Sequence, residues 1–98
     1  MKKVLLACAG GMSTSILVGK MRDIAFEDEI DVTIDATSVA NAKTMANDWD
    51  IVLLGPQVSF ELDGVKEVTS TPVFVINADD YGKANGQKVL DFALSNCK

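Results

Sequence analysis

Residues 4–15 read VLLACAGGMSTS: a short apolar run, a cysteine, two glycines and a group of hydroxyl residues. A continuous apolar run such as Val4 to Ala7 is typical of a strand covered on both faces of a parallel sheet. The run is shorter than the roughly seven apolar residues of a signal-peptide core and the ~20 of a membrane-spanning helix. We therefore interpret it as a buried strand, followed by a turn and the start of a helix.

Three further strand-like runs follow the first. Residues 51–54 and 73–76 are also continuously apolar, whereas residues 30–36 alternate between apolar and polar side chains, as an edge strand with one wet face does. Between the runs, apolar residues recur at helical spacing. The predicted helices cover residues 17–25, 39–49 (with Ser38 as N-cap), 58–65 (weakened by Asp63-Gly64) and 89–97.

The alternation of strands and helices predicts an α/β fold with a parallel sheet. We expect a four-stranded parallel sheet in the flavodoxin-like order 2-1-3-4, with helices on both faces and a P-loop-like Cys loop after the first strand. This order leaves the alternating second strand at an edge. A length of 98 residues accommodates one hydrophobic core, so we predict a single domain over residues 1–98.

Composition excludes several classes of function. The formal net charge of −5 is the opposite of what a phosphate-tracking nucleic-acid binder shows, so we expect no nucleic-acid partner. The absence of histidine excludes Ser-His-Asp and Cys-His triads, histidine zinc sites and phosphohistidine on this chain. Cys8 and Cys97 lie far apart in sequence and form no disulfide framework, which favours a cytoplasmic protein. Cys97 occupies an apolar helical position, where we expect a packing role.

Ligands of open parallel sheets bind at the carboxyl ends of the strands. Four segments meet there: residues 8–14, 36–38, 55–57 and 77–81. In the first, two glycines allow backbone N–H groups to turn inward, and the helix N-terminus adds unpaired donors. Such a cradle binds an anion and favours a thiolate at Cys8, which is a nucleophile for phosphorus.

These residues also have a simpler interpretation, because cysteines at strand ends are often packing residues and Gly-Gly is often only a tight turn. From the residues alone three functions stay open. They are a cysteine phosphocarrier, a small phosphatase or thiol-dependent reductase, and a non-catalytic anion-binding module.

Two families share the motif around Cys8. The cysteine with Ala-Gly-Gly-Met-Ser-Thr-Ser, the Gly-Pro-Gln of residues 55–57, and Tyr81-Gly82-Lys83 with Asn85-Gly86 resemble the enzyme IIB component of the bacterial phosphoenolpyruvate-dependent sugar phosphotransferase system, lactose/cellobiose (chitobiose) branch. The loop alone also resembles that of low-molecular-weight protein tyrosine phosphatases, which carry an arginine where Thr14 stands. A carrier must protect its phosphocysteine from water, so the missing arginine favours the carrier over the hydrolase.

The IIB resemblance implies a mechanism and partners. Cys8 would accept a phosphoryl group from a phosphohistidine of enzyme IIA and pass it to a cellobiose-, chitobiose- or lactose-like sugar bound by the membrane component IIC. Gln57 and Tyr81 would line the site or a docking surface. The phosphoryl oxygens would be held by the loop residues Ala9, Gly10, Gly11, Met12, Ser13, Thr14 and Ser15.

Further expectations accompany this resemblance. We expect no cofactor, no metal and a monomer, and a cytoplasmic protein that acts transiently at the inner face of the membrane. Tyrosine phosphatases of this kind carry a catalytic aspartate in the loop that holds Asp79 and Asp80, but helix capping or solvation explains this pair more simply. The weakly helical residues 59–68 depart from the firmer helix that we expect of a IIB protein.

Overall fold

The computed structural model describes residues 1–9 and 12–98, with their side chains except those of Met12 and Ser13. The described chain forms four strands and five helices, and strands and helices alternate as far as α4. In order they are β1 (Lys2–Cys8), α1 (Met12–Glu27), β2 (Val32–Ser38), α2 (Val39–Met45), β3 (Ile51–Leu54), α3 (Leu62–Val68), β4 (Val73–Val75), α4 (Ala78–Gly82) and α5 (Gly86–Asn96), with 3₁₀ turns at Ala46–Asp48 and Pro56–Glu61.

The sheet has the order β2-β1-β3-β4, and every neighbouring pair is parallel. This confirms the predicted topology. β1 pairs with β2 along its whole length, from Lys2 opposite Val32 to Cys8 opposite Ser38. On its other side β1 pairs with β3. The strand that carries Cys8 is therefore central.

Two apolar cores lie on opposite faces of this sheet. Val4 and Leu6 point into the core formed with α1 and α5, while Leu5 and Ala7 point into the core formed with α2 and α3. All four residues are fully buried. Successive side chains of a strand face opposite sides, so a strand covered on both faces has to be apolar at every position. This explains why β1 has a continuous apolar sequence.

The second strand begins and ends two residues later than predicted. Glu29 lies in the left-handed region with φ 55°, its N–H bonds to the Phe26 carbonyl, and the Ile30 N–H bonds to the Ala25 carbonyl. These two bonds form a Schellman motif, so Ile30 closes α1 instead of starting the strand. At the other end, pairing with β1 extends the strand to Ser38, through residues that we expected in a loop.

The left-handed backbone at Glu29 predicts a stabilising substitution. Glu29→Gly removes the steric cost of a side chain at this φ and should stabilise the fold by about 0.5–1 kcal/mol. Chemical denaturation of the variant and the parent protein measures the difference. Glu27→Gly, at the last helical position of α1, is the matched control and should destabilise by a similar amount. A loss of stability in Glu29→Gly would contradict the assignment of the motif.

The region after β3 also differs from the predicted helix. Pro56–Glu61 is a 3₁₀ turn with a kink at Val58 (φ −117°, ψ 25°), and the α-helix begins only at Leu62. The helix then runs through Asp63-Gly64, where we expected weakness, because Val65 is fully buried and anchors it.

Two other helices end earlier than predicted. α2 stops at Met45, and Trp49 is already extended (φ −115°, ψ 158°) with its ring in the core and the Lys3 ammonium 4.8 Å from the ring centroid. Ser38 caps α2 as predicted, accepting from the Asn41 N–H. α5 ends at Asn96, which leaves Cys97 just beyond the helix, packed against the core of α1 and α5.

Within the part of the chain that the structure describes, no helix combines the length and apolarity needed to cross a membrane.

Candidate functional site

Cys8 is the last residue of the central strand and lies at the carboxyl edge of the sheet. Its neighbours β2 and β3 lie on opposite sides of β1, so this edge is the topological switch point at which open α/β sheets bind ligands. Only 4% of Cys8 is exposed, whereas the next residue, Ala9, is exposed. The predicted phosphate cradle also includes Gly10, Gly11 and the side chains of Met12 and Ser13, which lie outside the described residues.

The helix that follows Cys8 begins at Met12 and presents its amino end to this edge. The first N–H groups of a helix have no partner within the helix and carry partial positive charge, so they favour an anion. Two hydroxyl residues of the first turn have described side chains, and they differ in exposure. Ser15 is exposed, whereas Thr14 is completely buried and its Oγ1 lies 3.4 Å from the Tyr81 hydroxyl oxygen.

The Gly-Pro-Gln segment lies beside the end of β1. The Gly55 N–H donates to the Ala7 carbonyl at 2.9 Å, one residue before Cys8. A Cβ at Gly55 would lie 3.0 Å from Gln57 Oε1 and 3.5 Å from the Tyr81 ring. Gln57 and Tyr81, which were predicted to line the site or a docking surface, therefore both lie beside Gly55. The sequence placed residues 55–57 at this edge of the sheet but assigned no role to Gly55.

The acidic pair near Tyr81 has a structural explanation. The side chain of Asn77 caps α4 by accepting from the N–H groups of Asp79 and Asp80. Capping therefore comes from Asn77, not from the aspartates as we expected. The Asp79 carboxylate forms an exposed ion pair with Lys83 at 3.2 Å. Asp80 lines a cavity of about 210 Å³ together with apolar side chains and Lys88.

Arg22 is the sole arginine of the sequence, and it is held away from Cys8. Its guanidinium Nε donates to the Ile34 carbonyl at 2.8 Å, and its Nη2 donates to Asp35 at 3.1 Å. The sheet register places Ile34 opposite Val4, four residues from Cys8, which corresponds to about 13 Å along the strand. The arginine clamp of a tyrosine phosphatase thus has no counterpart here.

These features define a flavodoxin-like α/β protein with a thiol at the switch point of its sheet. The chain belongs to the family described as PTS system, lactose/cellobiose-specific IIB subunit, whose family model matches residues 3–92. This confirms the resemblance seen in the sequence, and it gives the chain a role in sugar phosphotransfer as a IIB component.

Individual relatives are similar along nearly their whole length. The galactose-specific EIIB component of Lactococcus lactis subsp. cremoris is 44% identical over 97 residues, covering 91% of this chain and 90% of the relative. The cellobiose-specific EIIB component of Lactococcus lactis subsp. lactis is 43% identical with the same coverage. The oligo-beta-mannoside-specific EIIB component of Bacillus subtilis is 43% identical over 98 residues, covering 97% and 95%.

Two solved structures share the fold. The solution structure of a cellobiose-specific phosphotransferase IIB component from Borrelia burgdorferi superposes with a TM-score of 0.83 at 36% identity, covering 98% of this chain and 91% of that one. The lactose-specific IIB domain from Streptococcus pneumoniae superposes with a TM-score of 0.84 at 20% identity, covering 99% and 98%. The second likeness concerns the fold alone.

Proposed function

We propose that Cys8 is the phosphoryl acceptor of this IIB component, that a phosphohistidine of enzyme IIA is the donor, and that a sugar bound by IIC is the final acceptor. The observation that supports this most directly is the position of Cys8 at the carboxyl end of the central strand, directly before the amino end of α1. In a chain of the IIB family without histidine, the cysteine at this position is the residue suited to carry the phosphoryl group.

The first step is an in-line displacement at phosphorus. The Cys8 sulfur attacks, an S–P bond forms as the N–P bond of the donor phosphohistidine breaks, and the imidazole leaves with the electron pair and takes up the thiol proton. Backbone N–H groups from Ala9 to Ser15 hold the phosphoryl oxygens. Phosphoryl transfer needs mainly positioning and charge stabilisation, so a ring of N–H donors supplies what the step requires.

The second step reverses the chemistry toward a hydroxyl. A sugar oxygen attacks phosphorus, an O–P bond forms, the S–P bond breaks, and the thiol regains a proton from the sugar hydroxyl. Sugar choice belongs to the membrane component in this scheme, and the near-equal identity to relatives named for galactose, cellobiose and oligo-beta-mannoside supports that assignment. The reaction takes place in the cytoplasm, at the inner face of the membrane.

The placement of the arginine favours a carrier over a hydrolase. The only arginine is occupied at the edge of β2, so no guanidinium clamps the phosphoryl group for attack by water. The isolated chain is therefore expected to turn over aryl phosphates no faster than a Cys8→Ser variant does.

Peptide mapping tests the acceptor. After incubation with phosphorylated enzyme IIA, trypsin should release residues 4–20 carrying the mass of one phosphoryl group, because Lys3 and Lys20 bound the segment with Cys8. Unphosphorylated IIA is the control and should leave the peptide unmodified. Label confined to residues 89–98, the tryptic peptide that contains Cys97, would contradict the assignment.

A further inference from the structure

We propose that the hydroxyl pair of Thr14 and Tyr81 holds the first turn of α1 in place, so that both act as positioning residues for phosphoryl transfer at Cys8. The proposal rests on the function proposed above for Cys8. It assigns Tyr81 a role through Thr14, whereas the sequence suggested only that Tyr81 lines the site or a docking surface.

Thr14 is fully buried in the first turn of α1. It has no exposed surface, and its hydroxyl lies beside another hydroxyl of the protein. Buried hydroxyls need a hydrogen-bond partner, and the Tyr81 hydroxyl lies 3.4 Å away. The side chain of Thr14 therefore connects α1 to α4, while its backbone belongs to the turn that faces the acceptor.

Tyr81 is itself held in place by packing and by a backbone hydrogen bond. Its ring packs against the core of α1 and α5, and its N–H donates to the Asn77 carbonyl at 2.9 Å. Next to the ring lies Gly55, where even a Cβ would approach Cε2 to 3.5 Å. Gly55 is in turn bonded to the Ala7 carbonyl. Tyr81 therefore lies between the first turn of α1, which it contacts through Thr14, and Gly55, whose N–H is bonded to the residue before Cys8.

This path links segments that come from three different parts of the chain. Thr14 and Tyr81 are 67 positions apart, and Gly55 belongs to neither segment. All three surround the end of β1, so a change in any of them alters where the donors of α1 lie relative to the Cys8 sulfur. Because 3.4 Å is long for a bond between two hydroxyls, the contact is worth a modest factor in rate and not the whole reaction.

Two substitutions of Thr14 separate positioning from stability. Thr14→Val keeps the shape and loses the hydroxyl, whereas Thr14→Ser keeps the hydroxyl and loses a buried methyl group. We expect Thr14→Val to slow phosphorylation at saturating IIA by about five- to tenfold with little change in the IIA concentration at half-saturation. Thr14→Ser should stay within about threefold of the parent rate although its unfolding midpoint is lower, since a methyl-sized cavity costs stability.

Tyr81→Phe completes a double-mutant cycle. Alone it should slow transfer by at least about the same factor as Thr14→Val. The double variant should lose less than the product of the two single losses, because both substitutions remove the contact that the two hydroxyls share. Each reaction is followed as the rate of label appearing on the peptide of residues 4–20, and thermal unfolding of each variant is measured in parallel.

The outcomes distinguish this proposal from the one on which it rests. Parent protein that takes no label on Cys8 would overturn both. Three outcomes would overturn the positioning role and leave Cys8 as the acceptor. They are equal labelling rates in all variants, multiplicative losses of rate in the double variant, and labelling rates that follow the order of the unfolding midpoints. If only the IIA concentration at half-saturation changes and the rate at saturating IIA does not, the positioning role is contradicted and Tyr81 is assigned to docking of IIA.

Discussion

Replacing Cys8 by serine is expected to abolish phosphoryl transfer, lowering the rate of label incorporation by at least about a thousandfold. The hydroxyl of serine is a much weaker nucleophile than a thiolate, and the described part of the chain contains no histidine to act as its base. The two side chains differ by one atom, so the packing at the end of β1 is retained. Transfer from phosphorylated IIA, followed by intact-protein mass spectrometry, gives the rate for parent and variant.

Cys97→Ser is the matched control for this experiment. Cys97 is the second cysteine of the sequence, but it lies just beyond the end of α5, where its Sγ donates to the Leu94 carbonyl at 3.5 Å. Serine preserves that donor, so the variant should be labelled at the parent rate. Label that persists in Cys8→Ser, or that disappears in Cys97→Ser, would move the acceptor to another residue and remove the basis of the proposed mechanism.

The sheet was predictable because its buried strands can be recognised from short stretches of sequence. Val4 to Ala7 is buried on both faces, which requires apolar side chains at every position, and such a run is readable without knowledge of its neighbours. The boundaries of β2 were not readable in this way. Its start depends on Glu29, which adopts a left-handed backbone conformation that is more common for glycine. Its end depends on pairing with β1 as far as Ser38.

The site was predictable to a similar extent. The position of Cys8 follows from the strand, the helix and the rule that parallel sheets bind ligands at their carboxyl edge. The role of Thr14 does not follow, because a hydroxyl in the first turn of a helix can face either an anion or the interior. Only the packing of Tyr81, 67 positions away, directs it inward. Contacts of that sequence separation have no local signal in a single sequence.

The close contact between α1 and α5 leads to the second prediction. Gly86 is buried at the start of α5, and a Cβ there would lie 3.0 Å from Lys20 Cβ, 3.1 Å from the Lys20 carbonyl carbon and 3.1 Å from the Met21 nitrogen. Two of these atoms belong to the backbone of α1 and cannot move aside without shifting the helix. Gly86→Ala should therefore destabilise the protein by about 2 kcal/mol, lowering the unfolding midpoint by about 10 °C.

Gly19→Ala provides a control on the facing helix. Gly19 lies one residue before Lys20, within α1, and an added Cβ would meet nothing within 4 Å. Alanine at an open helical position should stabilise the protein by about 1 kcal/mol. A glycine-to-alanine substitution should therefore raise the stability at Gly19 and lower it at Gly86. Equal effects at both glycines would contradict the close approach. The shift of α1 in Gly86→Ala should also slow phosphorylation of Cys8, because that helix supplies N–H donors at its amino end.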